Sequence, residues 1–166
     1  MRTGSEQRSS SRAVQRCRAI TIPGILALLL AHPGAAQGAL GGSREEIARD
    51  QEALGGTRTT VTSGQGYEVH EMITADGTTV RQYVEPSGRV FAVTWSGRFR
   101  PNLKVLLGSH YAAYEAAARA PHTGHHVLSV STGDLTLTLV QLPRGWSGRA
   151  HLTSLVPSWV DVEQLR

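Results

Sequence analysis

Three β-prone runs decide the fold: Tyr67-Glu-Val-His-Glu-Met-Ile-Thr74, Thr78-Thr-Val-Arg-Gln-Tyr-Val-Glu85 and Arg89-Val-Phe-Ala-Val-Thr-Trp95. Asp76-Gly77 lies between the first and second runs, and Pro86-Ser87-Gly88 lies between the second and third. Asp-Gly between such runs is a strong hairpin signal, because both residues tolerate the positive φ of a tight hairpin turn. The stretch therefore predicts an antiparallel meander of three strands.

Helical patterns flank this meander on both sides. Ser43-Arg-Glu-Glu46 has the capping-box sequence, in which the serine and glutamate side chains each bond the other's backbone amide, and it predicts a short helix over residues 43–54. Apolar residues at spacings of three and four predict the main helix over residues 103–120, within which Gly108 is a weak point. Pro121 ends this helix, because proline cannot continue the backbone hydrogen bonding.

The remaining sequence predicts a second hairpin and three connections. Residues 127–132 and 135–142 are β-prone runs on either side of a Gly-Asp pair, and the second run begins with strict apolar–polar alternation. Residues 57–66, 96–102 and 143–148 are rich in glycine, proline or polar residues, and they predict a connector and two loops. The order of elements predicts a small single α+β domain, with an antiparallel meander and a hairpin packed with one main helix.

The first 38 residues have the order of segments that is typical of a secretory signal peptide. Basic residues come first, an apolar run extends from Ile20 to Ala31, and small and turn-forming residues end at Gly38. The apolar run contains Pro23 and is shorter than the roughly 20 residues of a membrane-spanning helix. We expect cleavage after Gly38. Cleavage after Ala36 and a buried N-terminal helix of the fold are the alternatives.

Cleavage would change the charge and the thiol content of the chain. The full chain of 166 residues has 17 Lys+Arg and 13 Asp+Glu, which gives a net charge of +4. The predicted signal peptide contains five arginines, Glu6 and the single cysteine, Cys17. Residues 39–166 therefore carry 12 basic and 12 acidic residues and no thiol. A neutral mature chain argues against nucleic-acid binding, and the lack of cysteine excludes disulfides and thiolate metal sites within it.

Several short patterns occur together after residue 38. They are Ala39-Leu-Gly-Gly42, Tyr67-x-Val-His-Glu71, Gly77-Thr-x-Val-Arg-x-Tyr-Val84, Gly88-x-Val-Phe-Ala-Val-x-Trp-Ser-Gly97, and Pro101-Asn-Leu103 to Leu107-Gly108. In this combination the chain resembles the exported proteobacterial family called domain of unknown function 2844, and the part after Pro121 matches less closely. The resemblance implies export from a bacterial cell and a single-domain architecture. It supplies no catalytic residues, because no activity is established for the family.

Histidines provide two candidate sites. His122, His125 and His126 are the densest group, and imidazoles at this spacing could bind Zn²⁺, Cu²⁺ or Ni²⁺. No Asp, Glu or Cys lies beside them, so a solvated loop is the alternative. His70 is a candidate base, whereas the adjacent Glu71 faces the other side of the predicted strand and cannot pair with it. A structural or surface role for His70 is the alternative.

Aromatic residues form a third candidate site. Trp95 ends a predicted strand, Phe99 follows in the loop, and Tyr111 and Tyr114 lie one turn apart on the main helix. Together with His70, they could line a groove between the sheet edge and the helix for a peptide, glycan or apolar ligand. The alternative is that these aromatic residues form the core of a small domain.

The tetrapeptide Trp-Ser-Gly-Arg occurs twice, beginning at Trp95 and at Trp146. Neither copy has the Gly-x-Ser-x-Gly sequence in which many hydrolases place a nucleophilic serine. Because the flanking residues differ, the two copies do not indicate an internal repeat.

These observations predict a non-enzymatic exported binding or accessory protein of the bacterial cell envelope, either periplasmic or secreted. The sequence contains no recognisable catalytic constellation and no cofactor motif, so neither a catalytic residue nor a cofactor is assigned. The expected partner is an envelope protein or a small ligand. Nucleic-acid binding and stable membrane insertion after signal cleavage are not expected. A histidine-loop metal-binding protein and a small hydrolase that uses His70 are the alternative functions.

Overall fold

The computed structural model describes residues 39–64, 66–120 and 126–166. The predicted signal peptide and both of its expected cleavage sites lie outside the described residues, as do Pro121, His122 and His125. In the described part of the chain, no helix is both long enough and apolar enough to cross a membrane.

One antiparallel sheet organises the described residues. Its seven strands are β1 (Arg58–Gly64), β2 (Tyr67–Ile73), β3 (Thr79–Val84), β4 (Val90–Gly97), β5 (Val127–Thr132), β6 (Leu135–Leu142) and β7 (Gly145–Leu152). Their spatial order is β1-β2-β3-β4-β7-β6-β5. The predicted meander is β2 to β4 and the predicted second hairpin is β5 with β6, so both predictions are confirmed. Pairing of β4 with β7 joins the two halves into a single sheet.

Two strands lie where the sequence predicted connections. Residues 57–66, the predicted connector, contain the edge strand β1, and residues 143–148, a predicted loop, contain the first half of β7. The strand β1 lies at the sheet edge, exposed to solvent, and most of its residues are polar. It therefore lacks the apolar alternation that marks a half-buried strand. Gly145 and Gly148 lower the strand propensity of β7, so the sequence does not predict this strand. The strand β4 also extends two residues into the loop predicted over residues 96–102.

Short helices accompany the sheet in the described residues. They are the α-helices α1 (Ile47–Ala53), α2 (Leu103–Leu107) and α3 (Tyr111–Arg119), with 3₁₀ turns at Arg44–Glu46, Gly108–His110 and Val162–Gln164. The predicted N-terminal helix is confirmed, and Ser43 N–H donates to Glu46 Oε2 at 3.0 Å. The predicted continuous main helix is wrong at Gly108, where φ is 50° and the helix divides into α2 and α3. Glycine adopts this left-handed value without steric strain.

The two faces of the sheet are covered differently. On one face, α1, α2 and α3 pack into the larger hydrophobic core through side chains such as Ile47, Leu106 and Tyr114. On the other face, Leu165 near the C-terminus packs with Tyr83 in a smaller cluster. The result is an α+β domain, as predicted, in which part of the second sheet face is left open between the C-terminal residues and the central strands.

Candidate functional site

The two copies of Trp-Ser-Gly-Arg lie opposite each other on the neighbouring strands β4 and β7. Trp95 pairs with Gly148, Ser96 with Ser147, and Gly97 with Trp146. Because side chains alternate between the faces of a sheet, Trp95 and Gly148 share the core face and the two serines share the open face. A Cβ at Gly148 would collide with the Trp95 ring, so the glycine is what admits the indole.

A pocket of about 420 Å³ lies on the open face, between the central strands and the C-terminal residues. We call it the sheet pocket. Its polar lining consists of three arginines and four hydroxyl-bearing residues: Arg81, Arg149, Arg166, Thr94, Ser96, Thr138 and Ser147. Val140 and Leu165 add apolar surface. Among the described residues, no carboxyl, imidazole or thiol side chain lines the sheet pocket.

Strand register places two of the arginines on either side of Thr94. Arg81 on β3 pairs with Thr94 on β4, and Thr94 pairs with Arg149 on β7. Neighbouring strands are about 4.8 Å apart, so the two arginine side chains leave the backbone roughly 10 Å from each other. Thr138 on β6 pairs with Arg149 on its other side. The floor of the sheet pocket therefore alternates guanidinium and hydroxyl groups across four strands.

Ion pairs hold both sheet arginines in place. Arg81 Nε lies 2.6 Å from Glu71 Oε2, and Arg149 pairs with Glu163 through one terminal nitrogen. Neither glutamate lines the sheet pocket. A guanidinium group has five N–H donors, so each ion pair leaves donors for a further acceptor. The glutamates thus orient the arginines without filling the pocket.

The C-terminal residues form one wall of the sheet pocket. Leu165 is buried against Tyr83 and Phe91, and the Tyr83 hydroxyl donates to the backbone carbonyl of Arg166 at 2.7 Å. Burial raises the pKa of the Tyr83 hydroxyl, so it remains a donor at neutral pH. A second pocket of about 370 Å³ shares Arg81, Leu165 and Arg166 with the first. The last two residues therefore border both pockets.

The predicted aromatic set is divided between core and surface. Trp95 and Tyr114 are only 2% and 7% exposed, and both belong to the larger hydrophobic core. Tyr111 is partly buried, with its ring centroid 5.6 Å from that of Tyr114. Phe99 is 51% exposed and lies under the Arg98 guanidinium. Trp95 and Tyr114 are therefore core residues, which was the alternative interpretation of this aromatic set. Ligand binding by the set stays a prediction.

His70 lies in a buried polar cluster beneath α1, on the core face of the sheet. Its Nε2 is 3.3 Å from Glu68 Oε2, and it pairs in register with Gln82. Gln82 Nε2 donates to Asp50 Oδ2 at 3.2 Å, while Gln82 Oε1 has no partner among the described atoms. Burial raises the pKa of the Asp50 carboxyl to about 7. A structural role accounts for these contacts, and a catalytic role for His70 stays a prediction.

The predicted histidine metal site falls largely outside the described residues. His122 and His125 are not described, and His126 is exposed at the end of that segment. Within the described ranges, no three His, Cys, Asp or Glu side chains are close enough together to hold a metal ion. Metal binding by His122, His125 and His126 therefore stays a prediction.

No local sequence pattern predicts the sheet pocket, because its residues come from separate strands. Ser147 and Arg149 lie in and beside a predicted loop, and nothing local shows that β7 pairs with β4. The repeated Trp-Ser-Gly-Arg was the one available signal. In the structure it marks the pairing of two strands, not a duplicated unit.

Comparison with known proteins identifies a family but no activity. The family described as "Protein of unknown function (DUF2844)" matches residues 36–165. No curated protein and no solved structure matches the chain. The family match confirms the resemblance carried by the short sequence patterns.

Proposed function

We propose that this chain, which belongs to the DUF2844 family of proteins of unknown function, is an exported, non-enzymatic binding protein of the bacterial cell envelope. The geometry of the sheet pocket and the order of the N-terminal segments support this proposal. The sheet pocket is the ligand site in this proposal. A small molecule is the ligand, since the pocket volume lies toward the small end of the range of about 300–1,000 Å³ that is usual for such sites.

The chemistry of the sheet pocket is the observation that carries the proposal. Three arginines and four hydroxyl-bearing residues line one concave surface, and guanidinium and hydroxyl groups can orient a ligand by hydrogen bonding. Nucleophilic catalysis would require a base beside Ser96 or Ser147, and among the described residues no imidazole or carboxylate side chain lines the pocket. The lining is suited to recognition and lacks the groups that hydrolysis would use.

Export is the second part of the proposal, and the sequence supports it. The basic, apolar and small segments follow one another in the order of a signal peptide across residues 1–38. Removal of that segment leaves a chain with equal numbers of basic and acidic residues, so nucleic acid is not the proposed partner.

Filling the sheet pocket tests the proposal. Ser147→Leu places a larger apolar side chain on the pocket floor, and Ser131→Leu makes the same change on the same sheet face outside the pocket. The wild-type protein and both variants would be expressed from the full-length sequence in a bacterial host and purified from its envelope fraction. Native mass spectrometry would then detect small molecules that remain bound to each protein.

We expect the wild-type protein and Ser131→Leu to retain a small molecule that Ser147→Leu has lost. Far-UV circular dichroism of the three proteins would establish that they share the same fold. Equal retention by all three folded proteins, or retention by none of them, would count against the sheet pocket as the ligand site.

A further inference from the structure

We propose that the ligand of the sheet pocket carries an oxyanion, a carboxylate or a phosphate, on a small hydroxylated body. This inference rests on the proposed function for the location of the site. It adds the chemical class of the ligand.

The charge of the lining gives the first argument. Arg81, Arg149 and Arg166 all line the sheet pocket, and no acidic side chain among the described residues does so. The two carboxylates that pair with the sheet arginines, Glu71 and Glu163, lie outside the lining. The lining therefore contains three arginines, and the side-chain carboxylates that pair with two of them both lie outside it.

The free donors of the arginines give the second argument. Arg81 donates to Glu71 Oε2 through Nε, so the four N–H donors of its two Nη groups are left for another acceptor. Arg149 is only 19% exposed at its side chain, so its remaining donors are partly removed from solvent. A planar guanidinium group matches the geometry of carboxylate and phosphate oxygens, and such charge-assisted hydrogen bonds are the strong ones. An oxyanion between the two arginines would accept from both.

The hydroxyl groups give the third argument and define the rest of the ligand. Thr94 lies between Arg81 and Arg149 in the strand register, and Ser96 and Ser147 form the next pair along the same strands. A hydroxyl group both donates and accepts, so it pairs well with the hydroxyl groups of a polyol or sugar. The pocket of about 420 Å³ has room for a small ring of this kind.

A panel of ligands built on one sugar ring tests this inference. Glucuronate carries a carboxylate, glucose 6-phosphate carries a phosphate, and glucose is the neutral control. Each would be titrated calorimetrically into protein expressed from the full-length sequence. We expect at least one of the two acids to bind about ten-fold or more tightly than glucose, because its oxyanion gains bonds to charged donors. The tighter of the two acids identifies the oxyanion.

Variants locate the binding and separate charge from folding. Arg149→Gln should weaken binding of the preferred acid by about ten-fold or more, and Arg149→Lys should weaken it less because the charge remains. Arg119→Gln removes an arginine from a surface ion pair on α3 and should leave binding unchanged. Raising the salt concentration should weaken binding of the acid to the wild-type protein and leave glucose unaffected.

Three results would overturn the inference. They are failure of both acids to bind, binding of glucose as tight as that of the acids, and acid binding that neither Arg149→Gln nor salt reduces. If any of them occurs while Ser147→Leu still abolishes retention of a small molecule, the proposed function holds and the oxyanion class alone is wrong. If Ser147→Leu has no effect on retention, the proposed function itself fails.

Discussion

Single residues decide how closely the central strands approach each other and how the buried polar groups are satisfied. Gly148 lies under the Trp95 ring, and Gln82 brings an amide beside the buried Asp50 carboxyl. Both contacts join parts of the chain that are far apart in sequence. Substitutions at Gly148 and at Asp50 test these two contacts.

Gly148→Ala tests the contact with the indole. The added Cβ would collide with the Trp95 ring, which is fully enclosed, so overpacking should lower the free energy of unfolding by about 1–3 kcal/mol. Gly64→Ala is the matched control, because a Cβ there meets nothing within 4 Å. Its effect should stay within about 0.5 kcal/mol. Urea unfolding measures both, and equal stabilities for the two variants would contradict the packing described for Trp95.

Asp50→Asn tests the buried carboxyl. The pKa of Asp50 is raised by burial from 3.8 to about 7 in the folded protein, so its contribution to stability is full below about pH 4 and is lost as the pH rises through 7. Asparagine does not titrate, and its amide can donate to Gln82 Oε1. Between pH 4.5 and 8, the free energy of unfolding of Asp50→Asn should rise by about 3 kcal/mol relative to that of the wild-type protein. A difference that does not change with pH would show that Asp50 titrates normally.

At the scale of elements, local sequence pattern accounts for the predicted hairpins. Pairing between residues that are far apart in sequence determines where β7 lies. The strands β2, β3 and β4 alternate around turn residues, so the sequence predicts them. The strand β7 carries two glycines and follows a proline, and its position beside β4 depends on a pairing across about fifty residues. Among the residues of the sheet pocket, Arg81 lies in a predicted strand, but no local pattern predicts that it lies close to Arg149.

Gly108→Ala tests the division of the predicted main helix. In a continuous helix, alanine would stabilise the protein by about 1 kcal/mol relative to glycine. At the observed φ of 50°, the alanine Cβ is strained, and the variant should be less stable by about 1–2 kcal/mol. Chemical denaturation gives the sign directly, and a more stable variant would contradict the break between α2 and α3.

At the scale of the whole molecule, the sheet separates two chemically different sides. The helices and the larger core occupy one face, while the other face presents arginine and hydroxyl groups beside the C-terminal residues. Most of the buried apolar side chains therefore lie on the helix-covered face, and the proposed ligand site lies on the other face.

Export concerns the whole chain and is tested by where the protein is found and by its mass. Protein expressed from the full-length sequence in a bacterial host should be found in the periplasm or medium, with an intact mass that lacks residues 1–38 or 1–36. Recovery of unprocessed protein from the cytoplasm alone would contradict export.

Amide chemical shifts report, residue by residue, whether a ligand binds in the sheet pocket. Sodium glucuronate and glucose 6-phosphate would each be titrated into the ¹⁵N-labelled protein. We expect saturable shifts centred on Ser96, Ser147 and Arg149, with little change at Tyr111 or Tyr114. Shifts centred on the aromatic residues of α3, or no saturable shifts with either acid, would contradict this expectation.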